Sequence, residues 1–410
     1  MMAKLSVLSF AIAILVAALQ AAYAAPITCT VATPPPPTVA ANGESELVED
    51  VFLTCVSAAP SQSIEMNLEV TFNTNLTSRI TNTATMAMEP LLLIDDPKPG
   101  VANTSNGFPY FGQVRGTPGI LAGAPGSGNV YQGMQALSGG VVLDNVVLFE
   151  GVPYVTGGTR TFRITNLRAN ASLLGINPVN VVVTIITDIA VDITNPEITV
   201  ANGANALNFT SGPIAGAIGL DLSFAEQFQS AFKKRMENTI GGPLTLKHQD
   251  EPGTVYCTES GFTPGFESLT FGAAGLADTG TRLLARLKDI PVGVTMLTVP
   301  NQVTSLSGSL VAHRVLPPFG VHFAKGVITT STGDSTVAVS ATHTAELLYD
   351  VTAAAPYLGE TGCGTLDTFN ISVIPSLPVS MSSTVATGEL APLDSVATAS
   401  ATAPEPRYVP

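Results

Sequence analysis

Between residues 64 and 72 apolar and polar side chains alternate without a break, as Ile64-Glu65-Met66-Asn67-Leu68-Glu69-Val70-Thr71-Phe72. A period of two turns one face of an extended chain to a core and the other to water, the pattern of an antiparallel sheet. Comparable stretches predict strands over 46–56, 91–94, 141–149, 160–167, 179–187, 282–290, 327–330, 336–341, 345–351 and 369–374. Val, Ile, Thr and Phe recur in them, as suits a pleated, half-buried surface. Gly-Gly pairs at 139–140, 157–158 and 241–242, Thr332-Gly333-Asp334 and Pro97-Lys98-Pro99-Gly100 punctuate them as turns. Many short strands between such turns predict a mainly β protein built from antiparallel β-sandwiches.

One segment departs from that period. Ser223 and Glu226 have the spacing of a capping box, and Phe224, Phe228, Ala231 and Phe232 share one stripe at helical spacing. Lys233, Lys234 and Arg235 follow where positive charge suits a helix C-terminus. The expectation is one amphipathic helix near 223–238, whose Phe face caps the end of a sandwich. A partner-binding or membrane-lying helix is the competing use, and the acidic chain weakens it.

A short internal likeness supports a division near this helix. Gly158-Thr159-Arg160-Thr161-Phe162-Arg163-Ile164-Thr165-Asn166-Leu167 resembles Gly280-Thr281-Arg282-Leu283-Leu284-Ala285-Arg286-Leu287-Lys288-Asp289-Ile290, with one extra residue in the second copy. Each runs from a glycine turn into a strand bearing two arginines. Two related sandwich domains are expected, over 25–215 with a Pro-rich arm and over 216–388 with the leading helix. Chance similarity between low-complexity β sequences is the alternative. Pro34-Pro35-Pro36-Pro37 predicts a stiff spacer that holds the first cysteine strand away from the next. Residues 389–410 read as a flexible or strand-donating tail.

The first 24 residues read as a secretory signal peptide: Lys4, an apolar run over 5–19, and Ala22-Tyr23-Ala24 as the cleavage site. No later segment reaches the ~20 apolar residues that a membrane-spanning helix needs. The product is therefore expected to be secreted or held at a cell surface. Of the 410 residues 45 % are hydrophobic and 12 % charged, and 17 Lys and Arg stand against 31 Asp and Glu, a net charge of −14. That balance argues against a sequence-independent grip on nucleic acid or anionic lipid. Four cysteines, Cys29, Cys55, Cys257 and Cys363, suit an oxidising compartment. Of three connectivities, Cys29–Cys55 with Cys257–Cys363 keeps each bridge inside one domain. The absence of any C-x-x-C spacing disfavours zinc.

No constellation specifies a reaction. His248, His313, His322 and His343 form none of the spaced pairs of a zinc hydrolase, and no nucleophile elbow or phosphate-binding glycine loop occurs. Asp278-Thr279-Gly280-Thr281 copies the D-T-G-T of aspartic proteases, but that chemistry needs two carboxylates sharing a proton and a second D-[ST]-G is missing. An Asp278-centred hydrolase is the remote reading. Asp95-Asp96, or Asp188 with Asp192, lack the run of oxygens that calcium needs. No cofactor, metal or catalytic residue is assigned. Phe108, Tyr110 and Phe111, between Gly107 and Gly112, are a candidate loop contact for a ligand or a plug over a sandwich edge.

At Glu46-Leu47-Val48-Glu49-Asp50-Val51 through Cys55, Leu91-Leu92-Leu93-Ile94-Asp95-Asp96, Thr159-Arg160-Thr161-Phe162-Arg163-Ile164-Thr165-Asn166 and 228–235, the chain resembles uncharacterised secreted bacterial β-rich proteins of unknown function. The resemblance covers most of the mature chain and implies export and a β-sandwich, with no activity. The expected function is that of a structural protein: a surface, matrix or filament subunit that self-associates through strand edges and apolar faces. An extracellular binding module for a glycan or surface ligand is the alternative, weakened by the absence of Trp.

Overall fold

The computed structural model describes residues 27–58, 62–82, 84–94, 129–234, 259, 261, 280–319, 326–353 and 366–391. Strands β1 (Ile27–Ala32), β2 (Thr38–Ala40), β3 (Glu46–Leu47), β4 (Val51–Ser57) and β5 (Ser63–Phe72) come first. Next are β6 (Ile80–Asn82), β7 (Ala87–Ile94), β8 (Asn129–Ser138), β9 (Val141–Val155) and β10 (Gly158–Thr165). β11 (Arg168–Ala169), β12 (Pro178–Ile186), β13 (Val191–Thr194) and β14 (Glu197–Ala204) complete the first half. The second half holds β15 (Leu207–Pro213), β16 (Leu220–Glu226), β17 (Arg282–Lys288), β18 (Met296–Pro300), β19 (Gln302–Thr304) and β20 (Leu310–Leu316). It ends with β21 (Val327–Ile328), β22 (Asp334–Ala338), β23 (Ala345–Ala353), β24 (Thr368–Pro375) and β25 (Val385–Ala391).

The first half forms a 12-stranded sheet in the order β13-β1-β4-β10-β7-β8-β9-β5-β12-β14-β2, with β6 beside β7. Connection lengths force it to curl. Laid flat at ~4.8 Å per strand, β1 and β2 would stand about 40 Å apart, yet residues 33–37 alone join them, a reach of roughly 20 Å. Asn195 and Pro196 make the same short jump from β13 to β14. The seam is tied by the Glu49 amide, which donates to the Val200 carbonyl at 2.9 Å. The enclosed side is apolar. Met66, Leu68, Val70 and Phe72 of β5 meet Leu53, Phe149, Phe162, Ile164 and Val181 in one core, as the alternation over 64–72 requires.

The second half contains a five-stranded sheet, β15-β16-β24-β18-β22, and a six-stranded one, β19-β20-β23-β17-β25 with β21 on β20. Their inward residues share a core in which Leu222, Phe224, Leu297 and Ile371 of the first meet Ala285, Ala312, Leu347 and Tyr349 of the second. A smaller cluster of Leu284, Val315, Leu348 and Ala391, with Phe319 and Ile328, includes the other face of β17 and β23. The mainly β expectation holds. Among the described residues no α-helix occurs, only one 3-10 turn at Ala171–Leu173.

Three expectations need correction. The helix expected near 223–238 is not formed over its described residues, 223–234. Residues 220–226 are strand β16, with Leu220, Leu222 and Phe224 inward and Asp221, Ser223 and Ala225 outward, and bends and turns follow to Lys233. Leu-Asp-Leu-Ser-Phe-Ala-Glu itself alternates, and pairing on both sides with β15 and β24 outweighs the capping spacing. The aromatic anchors are real nonetheless: Phe232 is buried and its ring lies 6.0 Å from that of Phe369.

The Pro-rich stretch separates nothing. β1 lies directly against β4, and β2 pairs β14, so the arm is consumed within its own sheet. The duplication stops at the local level. Asn166 and Asp289, matched in the two segments, both adopt left-handed backbone (φ 60° and 56°). However, β10 pairs with the earlier strands β4 and β7, whereas β17 pairs with the later β23 and β25. The strand orders around the two segments differ.

Candidate functional site

Among the described residues this charge-poor chain places most of its cations inside. Among the described residues Arg160, Arg163, Arg168, Lys233, Arg282 and Arg314 are buried, Arg79, Lys234 and Arg286 are half-buried, and Lys288 alone is exposed. Buried charge is tolerated only when paired and hydrogen-bonded, and most of these act as internal clamps. Arg163 Nε of β10 reaches Asp50 Oδ2, just before β4, at 2.6 Å. Arg282 Nε of β17 lies 3.4 Å from Asp350 Oδ2 of β23, and the Gly280 amide donates to that same oxygen at 3.0 Å. The two similar segments thus each contribute an arginine to a buried ion pair with a neighbouring strand or its lead-in.

Arg168 is the hub between the two cores. Its Nε pairs with Glu89 Oε1 of β7 at 3.0 Å, its Nη1 donates to the Ser45 carbonyl at 3.4 Å, and its Nη2 donates to the Glu259 carbonyl. Glu259 in turn accepts from the Thr281 hydroxyl at 2.8 Å. Nearby, Lys233 Nζ meets Glu46 Oε2 at 3.2 Å. Ser45, Glu46, Lys233, Glu259 and Thr281 line a cavity of about 30 Å³, room for about one water.

The carboxyls here hold their protons unusually tightly. Burial raises Glu89 and Glu259 above the ordinary carboxylate range despite the nearby cations. Burial, reinforced by the adjacent Asp50, pushes Glu49 up to about 8. Glu226 is pushed by burial up to about 7, although the Phe232 and Asp367 amides, each donating at 2.7 Å, pull it back.

The sequence-predicted site residues meet different outcomes. Cys29 and Cys55 sit directly opposite each other on β1 and β4, both fully buried, and are bonded. Cys257, Cys363, Phe108, Tyr110, Phe111 and Asp278 lie outside the described residues, as do the signal peptide, His248 and His322. His313 places Nδ1 3.1 Å from the Thr329 carbonyl, and His343 occupies a turn at φ 58°. Among the described residues no group of three or more His, Cys, Asp or Glu residues is placed to hold a metal, Asp188 and Asp192 included. No helix among them is long and apolar enough to cross a membrane.

Sequence reasoning missed a groove of about 490 Å³ beside β22, lined by Arg286, Lys288 and Arg314 together with Leu316, Phe319 and Val337. Its signal was present: Arg314 follows Leu310 and Ala312 on the inward register of β20, where an apolar residue is expected.

No family model matches the chain, and no curated protein does. Among solved structures it is similar to the B domain of a biofilm associated protein, at 6 % identity and a TM-score of 0.22, covering 86 % of this chain and 74 % of that one. It is also similar to the partial N-terminal region of an enterococcal surface protein, at 9 % identity and a TM-score of 0.23, covering 87 % and 86 %. Scores at that level establish neither a shared fold nor a shared role.

Proposed function

We propose that the mature chain is an exported, non-enzymatic structural protein of a cell surface or matrix, whose copies associate through β-strand edges and apolar faces. The observation that carries this reading is where the positive charge is absent. Open sheet edges invite pairing with another chain, and soluble β proteins blunt them with lysines, prolines or bulges. Here β15 and β22 end the five-stranded sheet; neither hydrogen-bonds a further described strand on its outer side, although β15 packs beside β25, and neither bears a lysine or arginine. Pro213 stands only at the last position of β15. The exposed Lys288 ends β17, which is paired on both sides.

Apolar exposure adds to the edges. The β8–β9 hairpin, turned by Gly139 and Gly140 at φ 59° and 83°, presents Leu137 at 56 % and Val141 at 66 % exposure. Two domains complete the proposed unit, divided just before β15, which pairs β16 of the second half, with Cys257–Cys363 stapling the second; the leader would deliver the unit to an oxidising compartment. The test places a cation on each open edge. Thr210→Lys with Asp334→Lys substitutes exposed positions of β15 and β22, so folding should persist while association weakens. Sedimentation of the mature protein should show concentration-dependent assembly that the double variant loses. Equal assembly by both proteins would contradict edge pairing.

A further inference from the structure

The groove beside β22 is lined by the exposed Lys288 and the buried Arg314 in a chain that is strongly acidic as a whole. Arg314 is 2 % exposed and sits opposite Tyr349 across the β20–β23 pair. Its guanidinium carbon lies 5.9 Å from the centre of the Tyr349 ring, a modest compensation for a buried cation. Nη1 donates only to the neighbouring Val315 carbonyl at 3.3 Å, and the buried Nε has no hydrogen-bond partner. Among the described residues no carboxylate pairs with Arg314 or Lys288. Arg286 is already engaged by Glu346, at 3.1 Å, and by Glu389. Every other buried arginine detailed above has a carboxylate, so Arg314 is the exception.

An unpaired buried guanidinium is costly, and an arriving anion would remove most of that cost. The groove volume falls within the range of roughly 300–1,000 Å³ typical of small-molecule sites. Its walls include Leu316, Phe319 and Val337, which offer apolar surface beside the cations, and the Glu346 carboxylate, which Arg286 holds. Burial lowers the proton affinity of Arg314, and only the Tyr349 side chain opposes this; a guanidinium nevertheless stays charged at neutral pH and can hold a carboxylate through two parallel bonds. We propose that this groove binds a small organic acid, its carboxylate held by Arg314 and its short apolar body against Leu316, Phe319 and Val337.

Calorimetry on the full mature chain with hexanoate, hexan-1-ol and inorganic phosphate tests the assignment. Hexanoate should bind, and the alcohol and phosphate should bind about tenfold more weakly or not at all. Arg314→Met should weaken hexanoate by about tenfold or more. Ala338→Trp, at an exposed position lining the groove, should abolish binding without altering the thermal midpoint of the free protein. It thereby keeps the test valid if Arg314→Met misfolds. No binding to the wild type, equal binding of acid and alcohol, or hexanoate affinity unchanged in Ala338→Trp would each overturn the proposal. So would an Arg314→Met variant that loses self-association while wild-type protein shows no hexanoate binding.

Discussion

At the scale of single residues, stability in this protein is tied to buried carboxyls. In the folded chain Glu49 titrates near 8 against an ordinary value of 4.5, and Glu226 near 7. Between about 5 and 8 the folded form therefore keeps protons that the unfolded form has released. Stability must fall as pH rises through that window and level off above it. Urea midpoints should decline from pH 5 to pH 8.5, and Glu49→Gln should flatten the slope and gain ~1–3 kcal/mol at the upper end. Arg168→Met should cost ~3–5 kcal/mol because it strands Glu89, and adding Glu89→Gln should recover part of the loss, both read by urea denaturation. None of these partners was legible in the chain. Ion pairs such as Arg163–Asp50 and Arg168–Glu89 join residues 113 and 79 positions apart, and strand patterns carry no information about such long-range pairing. The Cys29–Cys55 bridge was legible, because few cysteines leave few choices.

At the scale of elements, alternation was the dependable signal. Each strand expected from it has a counterpart, shifted by a few residues or, at 46–56, split into β3 and β4. β13, β14, β18 and β20 escaped notice because they are short, or because apolar residues occupy both faces. The segment 220–226 shows how two local codes compete. Phe224 satisfies both periods, and Glu226 does accept two amides, but from a turn and a strand lead-in rather than from a helix. The flank where β15 meets β25 offers a sharp test of packing. A Cβ on Gly388 would overlap the edge of the Phe209 ring, and that ring is itself fixed edge-on against Phe224, 4.9 Å away. Gly388→Ala should therefore cost ~1–3 kcal/mol, and Phe209→Leu in the same chain should restore much of it. Thermal melts of the single and double variants check this.

At the scale of the whole molecule, the same economy of charge accounts for interior and surface together. Among the described residues, cations drawn inward as clamps leave the edges of the five-stranded sheet without their usual repulsive guards, in an acidic chain that exposes isolated apolar side chains. Screening should therefore matter: moderate salt weakens the repulsion between anionic copies while leaving backbone pairing intact, so assembly should increase with ionic strength. The measurement that bears most directly on the account is sedimentation velocity of the mature, disulfide-bonded chain over a hundredfold range of concentration. The account predicts progressive growth to large assemblies as concentration rises. A single sedimenting species of monomer mass across the whole range would contradict it.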